Sequence, residues 1–391
     1  MLEVPVEISR YNFPTPIDFG VGARRAIAPA LKAQSLSRPL IVTDQILAGL
    51  APVTGIVELL TEAGFSVGLF DGVVGNPVKS QVEAGVAAYH AHGADSIVAI
   101  GGGAPVDVAK VIALMAHHPG DLFDYEDGKP GALTAEGKIP YLVAVPTTAG
   151  TGSEVGRSSV VSDDQTHVKK IIFSPRILPA HVFADPELLV GLPAGITAAT
   201  GLDALTHLLE AYVAKGFHPM CDGIALEGVR LVALSLEKCV KFAKEGTGPT
   251  PEHLAVRSAM LNASIMGAVA FQKGLGVVHS CAHALSTVCD LHHGLANGVM
   301  VPYGMAFNRS AAPERFETLA SLSEVGGVDF IDWIDSLREA VGVPKNLREL
   351  GVSEDHLDAL VSHGMADPCH QLNPRAVSEA DMRELFVQAI G

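Results

Sequence analysis

The sequence predicts a two-domain protein, with an α/β domain built on a parallel, Rossmann-like sheet followed by an all-α domain. Three observations carry this reading. Apolar β-rich runs alternate with helical stretches through the first half, two of those runs end in glycine-rich turns, and the second half reads as long helices. At 391 residues the chain exceeds one ordinary domain and fits two. Hydrophobic residues make up 48% of it, enough for sizeable cores, and many of its 40 glycines suit tight strand-to-helix turns.

The elements follow in order. Residues 39–44, 66–70, 96–100 and 141–145 are short, nearly continuous apolar runs, the pattern of strands covered on both faces. Helical spacing fills the intervals, as at 53–63 and 78–92. After Pro186-Glu187-Leu188-Leu189 the character changes, with long periodic stretches at 194–215, 221–243, 251–271 and 275–286. The boundary is therefore expected near 189–193, giving a domain of residues 1–189 and a helical domain of residues 190–391. The last fifty or so residues read as capped helices, with Ser353 a candidate N-cap.

Composition excludes some functions. There are 27 Lys+Arg against 43 Asp+Glu, a formal net charge of −16, and no dense basic cluster that would meet a phosphate backbone. A small-molecule ligand is expected rather than nucleic acid. The five cysteines form no CxxC, the start carries no basic-then-apolar leader, and no apolar run is read as reaching the ~20 residues of a membrane span. A cytoplasmic protein is the expectation.

Directly after the third strand comes Gly101-Gly102-Gly103-Ala104-Pro105-Val106-Asp107-Val108-Ala109-Lys110. Glycines let the backbone turn sharply and approach a ligand, and Pro105 suits the first turn of a helix. Exposed amides at a helix start are an anion site, so this is either a tight turn or a pyrophosphate cradle. Pro146-Thr147-Thr148-Ala149-Gly150-Thr151-Gly152-Ser153-Glu154 also follows a strand. Two such loops at strand carboxyl ends mark the crevice where parallel sheets bind ligands. Asp44 closes the first strand. It is either a turn cap or the acceptor for adenosine ribose hydroxyls, in which case it favours NAD over NADP.

A second constellation lies in the helical half. Asp203 and His207 are four apart and share one helix face. His279 and His283 form another such pair, and Leu291-His292-His293-Gly294 adds two imidazoles. Any one of these residues alone reads equally well as core, but five histidines in one apolar neighbourhood need partners, and a divalent metal satisfies several at once. On one straight helix His279 and His293 would stand ~21 Å apart, so the chain must reverse between them if both bind one ion, with Asp290 a possible cap. One carboxylate and three imidazoles suit Fe²⁺ or Zn²⁺. Cys281 and Cys289 read as small core residues.

These segments, in this order, resemble the iron-containing (group III) alcohol dehydrogenase family over nearly the whole chain. The resemblance implies a dehydroquinate synthase-like architecture, with an N-terminal dinucleotide-binding domain, a helical domain and a cleft between them. It places metal ligands on Asp203, His207, His279 and His293, and makes His283 a proton-relay candidate near the nicotinamide. It places cofactor contacts on Asp44, Asn76, Gly102, Gly103, Asp107, Thr147, Thr148 and Lys169, and suggests a homodimer. Some positions depart from the family pattern. Ala104 stands where Ser is usual, Gly75-Asn76-Pro77-Val78 loses a Thr, His283-Ala284-Leu285-Ser286 replaces His-Pro-Leu-Gly, and Arg157-Ser158 differs in a stretch expected to face substrate. Arg157 is either an attractor of acidic substrates or a structural ion-pair partner.

The function expected is reversible, metal-dependent hydride transfer between an alcohol or hydroxy acid and NAD. Two other reactions fit the same architecture. One is a transhydrogenase between a hydroxy acid and an oxo acid. The other is a dehydroquinate synthase-like lyase, against which the Asp203/His207 spacing speaks.

Overall fold

The structure is a computed structural model and describes residues 13–391. The chain divides into two compact units. One comprises Pro14–Thr148 and Gly152–Leu189; the other contains Ala149–Thr151 and Val190–Gly391. The short segment Ala149–Thr151, expected from sequence in the first domain, thus belongs with the helices.

In chain order the α/β unit contains β1 (Ile17–Phe19), α1 (Ile27–Ala33), β2 (Pro39–Asp44), α2 (Ala51–Glu62), β3 (Gly68–Val73), α3 (Lys79–His92), β4 (Ser96–Gly101), α4 (Gly103–Met115) and β5 (Tyr141–Pro146). It continues with β6 (Ser158–Ser162), β7 (Lys169–Phe173) and β8 (His181–Ala184). Six strands form one sheet in the order β1-β8-β5-β4-β2-β3, every pair parallel. The central strands β2, β4 and β5 are buried along almost their whole length, as continuous apolar runs require. The chain leaves β2 toward β3 on one side and returns as β4 on the other. The carboxyl ends of β2 and β4 therefore form the switch point where such sheets take ligands.

β3 begins at Gly68 rather than Ser66, because its register on β2 pairs Leu40 with Gly68 and Asp44 with Val73. It is an edge strand with mostly half-buried or exposed residues, so its apolar signal is weak. Strands β1 and β8 and the antiparallel hairpin β6–β7 are additions to the expected set. β1 and β8 are only three and four residues long, and the hairpin is rich in Ser and Lys, so none makes a long apolar run.

The helical unit contains α5 (Ala194–Val213), α6 (Pro219–Glu245), α7 (Pro251–Ala270), α8 (Val277–Cys289), α9 (His293–Asn308), α10 (Pro313–Ala320), α11 (Phe330–Ala340), α12 (Leu357–Ala366) and α13 (Glu379–Ile390). α5 is its central rod, buried at every residue from Thr197 to Val213. Burying Leu202, Leu205, Leu208 and Leu209 contributes roughly 1.5–3 kcal/mol each. That burial offsets the cost of holding Asp203, His207 and Glu210 on the same helix away from water.

Two expectations need correction here. Residues 251–273 are long and apolar enough, by length and composition, to cross a membrane. This stretch is α7 with the turn after it; it packs on α5 and α6, and 61% of its most apolar window is buried inside the unit. Asp290 does not cap α9. It ends α8 in the left-handed region at φ 51°, and His292 takes the N-cap position, its Nδ1 accepting from Leu295 N at 3.4 Å. A short polar side chain is among the few that tolerate that backbone, and this turn makes the reversal between His279 and His293.

Candidate active site

The α/β unit brings its two glycine- and threonine-bearing loops together at the switch point. Gly101 has φ 153°, and a Cβ there would meet the Pro105 ring at 2.6 Å. A Cβ on Gly102 would stand 3.0 Å from Thr148 Oγ1. The Gly101 carbonyl accepts from Thr147 N at 3.0 Å, so the two glycine- and threonine-bearing loops lie side by side. Gly102 and Gly103 are half-buried at the start of α4, where free amides favour an anion.

The other nucleotide-site candidates take different places. Asp44 ends β2, and its Oδ1 accepts from Ile46 N (3.0 Å) and Leu47 N (2.8 Å). Turn cap and ribose acceptor are thus compatible roles, since one oxygen carries these bonds. Asn76 is exposed in the loop after β3. The same loop meets β6, with Ser162 N donating to Pro77 O at 2.8 Å, and Ser162 pairs with Lys169 across the hairpin. Asn76 and Lys169 are therefore brought to one neighbourhood.

Asp107 is engaged by the protein itself. Ser153 Oγ donates to its Oδ1, Val160 N donates to Oδ2 at 2.9 Å, and Lys110 Nζ lies 3.8 Å away. Lys110, fully buried, donates to Ser153 Oγ and Ser158 O, each at 2.8 Å. Burial pushes the Asp107 carboxyl up and the Lys110 ammonium down, each partly offset by the other. The pair ties α4 to the loop after β5. In the sequence Lys110 carries no assigned role; its signal is a lone cation in an apolar helix. Arg157 lies over the Phe173 ring at 5.4 Å, a cation–π contact rather than the ion pair of its structural reading.

In the helical unit, Asp203, His279 and His293 converge, with one ligand atom of each within 4.8 Å of the others. Asp203 Oδ1 is 3.5 Å from His293 Nε2 and 4.0 Å from His279 Nε2. Ligands bound at ~2.1 Å around one ion stand ~3–3.5 Å apart, so the set needs only a small contraction. His207 stands outside this group and stacks its ring on His279 with centroids 4.6 Å apart. Burial lowers its pKa to about 4, which keeps the imidazole neutral, the form that ligates. The carboxylate and two imidazoles of this group, with the neutral His207 ring stacked beside them, fit a divalent metal.

Asn297, one turn after His293, lies among these atoms. Its Nδ2 donates to Asp203 Oδ1 at 2.7 Å and lies 3.1 Å from His293 Nε2. Glu210 and Asp367 are not among the residues the sequence singles out for the site. Glu210 follows His207 by three residues on the same face of α5 and meets His279 Nδ1 at 2.7 Å. Burial works against the charged His279 ring, but the Glu210 carboxylate outweighs it, and the net shift is upward. Asp367 meets His283 Nδ1 at 2.7 Å, and with Cys369 forms a second group of ligand-type atoms beside the first. Periodicity within α5 points at Glu210; nothing in the sequence links residue 367 to residue 283. All five cysteines are free thiols.

The iron-containing alcohol dehydrogenase family profile matches residues 14–186, and the C-terminal profile of the Fe-containing alcohol dehydrogenase family matches residues 197–390. The chain belongs to the iron-containing alcohol dehydrogenase family. It is similar to a 4-hydroxybutyrate dehydrogenase of Cupriavidus necator, at 36% identity over 96% of this chain and 98% of that one. It is also 34% identical to an NAD-dependent methanol dehydrogenase of Bacillus methanolicus, over 98% of this chain and all of the other. The crystal structure of a 1,3-propanediol oxidoreductase superposes with a TM-score of 0.90 at 36% identity, covering 98% of this chain and 100% of that one. The protein is an NAD-linked alcohol dehydrogenase, an oxidoreductase of CH–OH groups that works with a metal.

Proposed function

We propose that the protein oxidises a small primary alcohol or ω-hydroxy acid with NAD⁺, reversibly, using Fe²⁺ held by Asp203, His207, His279 and His293. The observation that carries this reading is the convergence of Asp203, His279 and His293 within 4.8 Å, with His207 stacked against them. The hydroxy-acid class follows from the relative named for 4-hydroxybutyrate, and the iron from the family. Zn²⁺ would suit the same donors.

A divalent ion at these donors supplies Lewis acidity toward the alcohol oxygen, and NAD⁺ supplies the hydride acceptor. The residues of the chain do the rest. Gly102, Gly103, Thr147 and Thr148 bind the pyrophosphate, while Asp44, Asn76 and Lys169 hold the outlying parts of the cofactor. Asp107 serves the cofactor through the loop it braces. His283 takes the alcohol proton at Nε2, because Asp367 holds its Nδ1. The protein works in the cytoplasm as a homodimer.

The test is NADH formation from a panel of alcohols and hydroxy acids, with metal analysis of the same sample. His279→Ala should lose both metal and turnover. Hydride exchange between a hydroxy acid and an oxo acid without added NAD would instead identify the transhydrogenase.

A further inference from the structure

Glu210 is 1% exposed and carries an unusual load. Its Oε2 accepts from Gly276 N (2.9 Å), His279 N (3.3 Å) and His279 Nδ1 (2.7 Å), and its Oε1 accepts from Val278 N (2.7 Å). Three of these donors are the open N–H groups at the start of α8, a helix whose N-cap residue, Gly276, has no side chain to offer them. A carboxylate from α5 caps α8 instead. The glycine is required for this: a Cβ at 276 would stand 2.7 Å from Glu210 Oε1 and 2.6 Å from Asn373 Oδ1.

Three backbone N–H donors converge on the Glu210 carboxylate, so both of its oxygens serve as acceptors here. His279 Nδ1 must therefore carry the hydrogen, which leaves the Nε2 lone pair facing Asp203 and His293. The helix that bears Asp203 and His207 is thereby fastened to the helix that bears His279, through the ligand ring itself.

We propose that Glu210 is the positioning residue of the metal centre: it sets the tautomer and orientation of His279 and thereby the affinity for a divalent metal. The inference rests on the metal reading given above. A carboxylate behind a ligating imidazole typically changes metal affinity by about 10–100-fold.

The experiment uses the full chain stripped of metal and titrated with Zn²⁺ against a chromophoric chelator, with the Tm of the metal-free protein measured in parallel. Glu210→Gln should raise the Zn²⁺ Kd about 10–100-fold. Gly276→Ala keeps every hydrogen-bonding group but pushes the carboxylate back, so it should raise the Kd in the same direction. It carries the measurement if the glutamine variant does not fold. A Kd within about threefold of wild type in the folded variants, with only a lowered metal-free Tm, makes Glu210 a helix cap and nothing more. Wild-type protein that takes up no metal overturns the metal reading as well, so the two failures are distinguishable.

Discussion

His283 Nδ1 lies 2.7 Å from Asp367 Oδ2, so one edge of the imidazole is fixed by a carboxylate, and on the proposed reading the other edge exchanges the proton. Asp367 also accepts from Ser280 Oγ at 2.8 Å and Cys369 N at 2.9 Å. Burial alone would raise its pKa, but these bonds and the His283 ring outweigh that and hold it well below the usual carboxylate range. Asp367→Asn should lower kcat roughly 10–100-fold, in keeping with loss of an oriented proton-transfer group, while KM for NAD⁺ stays within about threefold. Steady-state kinetics with both substrates varied checks this. An unchanged kcat would mean the pair is structural.

The nucleotide loop can be perturbed without touching the metal. Gly102→Ala places a methyl 3.0 Å from Thr148 Oγ1, so the neighbour must give way by a few tenths of an ångström. The expected result is about a tenfold rise in the NAD⁺ Kd, or ~1.4 kcal/mol, with a larger rise for Gly102→Val. Metal content should not change. Isothermal titration with NAD⁺ and metal analysis on the same sample would show whether the two sites separate in this way.

Glu154 gives a pH-dependent stability. The residue is 3% exposed, and its Oε1 is buried without a hydrogen bond among the described residues. Burial raises its pKa to about 7, against the pull of Lys110. Between about 4.5 and 7 the folded state binds this proton and the unfolded state does not, so stability falls as pH rises through that window. Glu154→Gln should remove this slope. At pH 8 the variant should be more stable than wild type by up to about 3 kcal/mol, since a tenfold change in proton affinity is worth ~1.4 kcal/mol. Urea denaturation at pH 5 and pH 8 measures it, and equal slopes in both proteins would contradict the assignment.

Local pattern makes much of this protein legible in its sequence. The α5 face bearing Asp203 and His207, the continuous strands β2, β4 and β5, and the glycine turn at 101–103 are all set by neighbours a few residues away. What escapes depends on contacts across long separations. Asp367 meets His283 from 84 residues away, and Glu210 reaches the start of α8 across 66. The first has no spacing that periodicity can read, and the second shows only in the place of Glu210 three residues after His207 on α5. The partners of Asp107 are hidden for another reason. It sits within a motif that otherwise points at the cofactor, yet its carboxylate is held by Ser153 and Val160. The membrane-length character of α7 is hidden because Arg257 and His253 interrupt its apolar run. In the fold they bond each other, Arg257 Nε donating to His253 Nε2 at 3.0 Å.

Metal removal tests the central claim most directly. The chain is stripped with a chelator under anaerobic conditions, bound metal is counted per chain, and NADH formation is followed while Fe²⁺ is added back. Turnover should fall in proportion to the metal lost, return as the metal approaches one per chain, and fail to return in His279→Ala. Full NAD-linked turnover in metal-free protein would contradict the account.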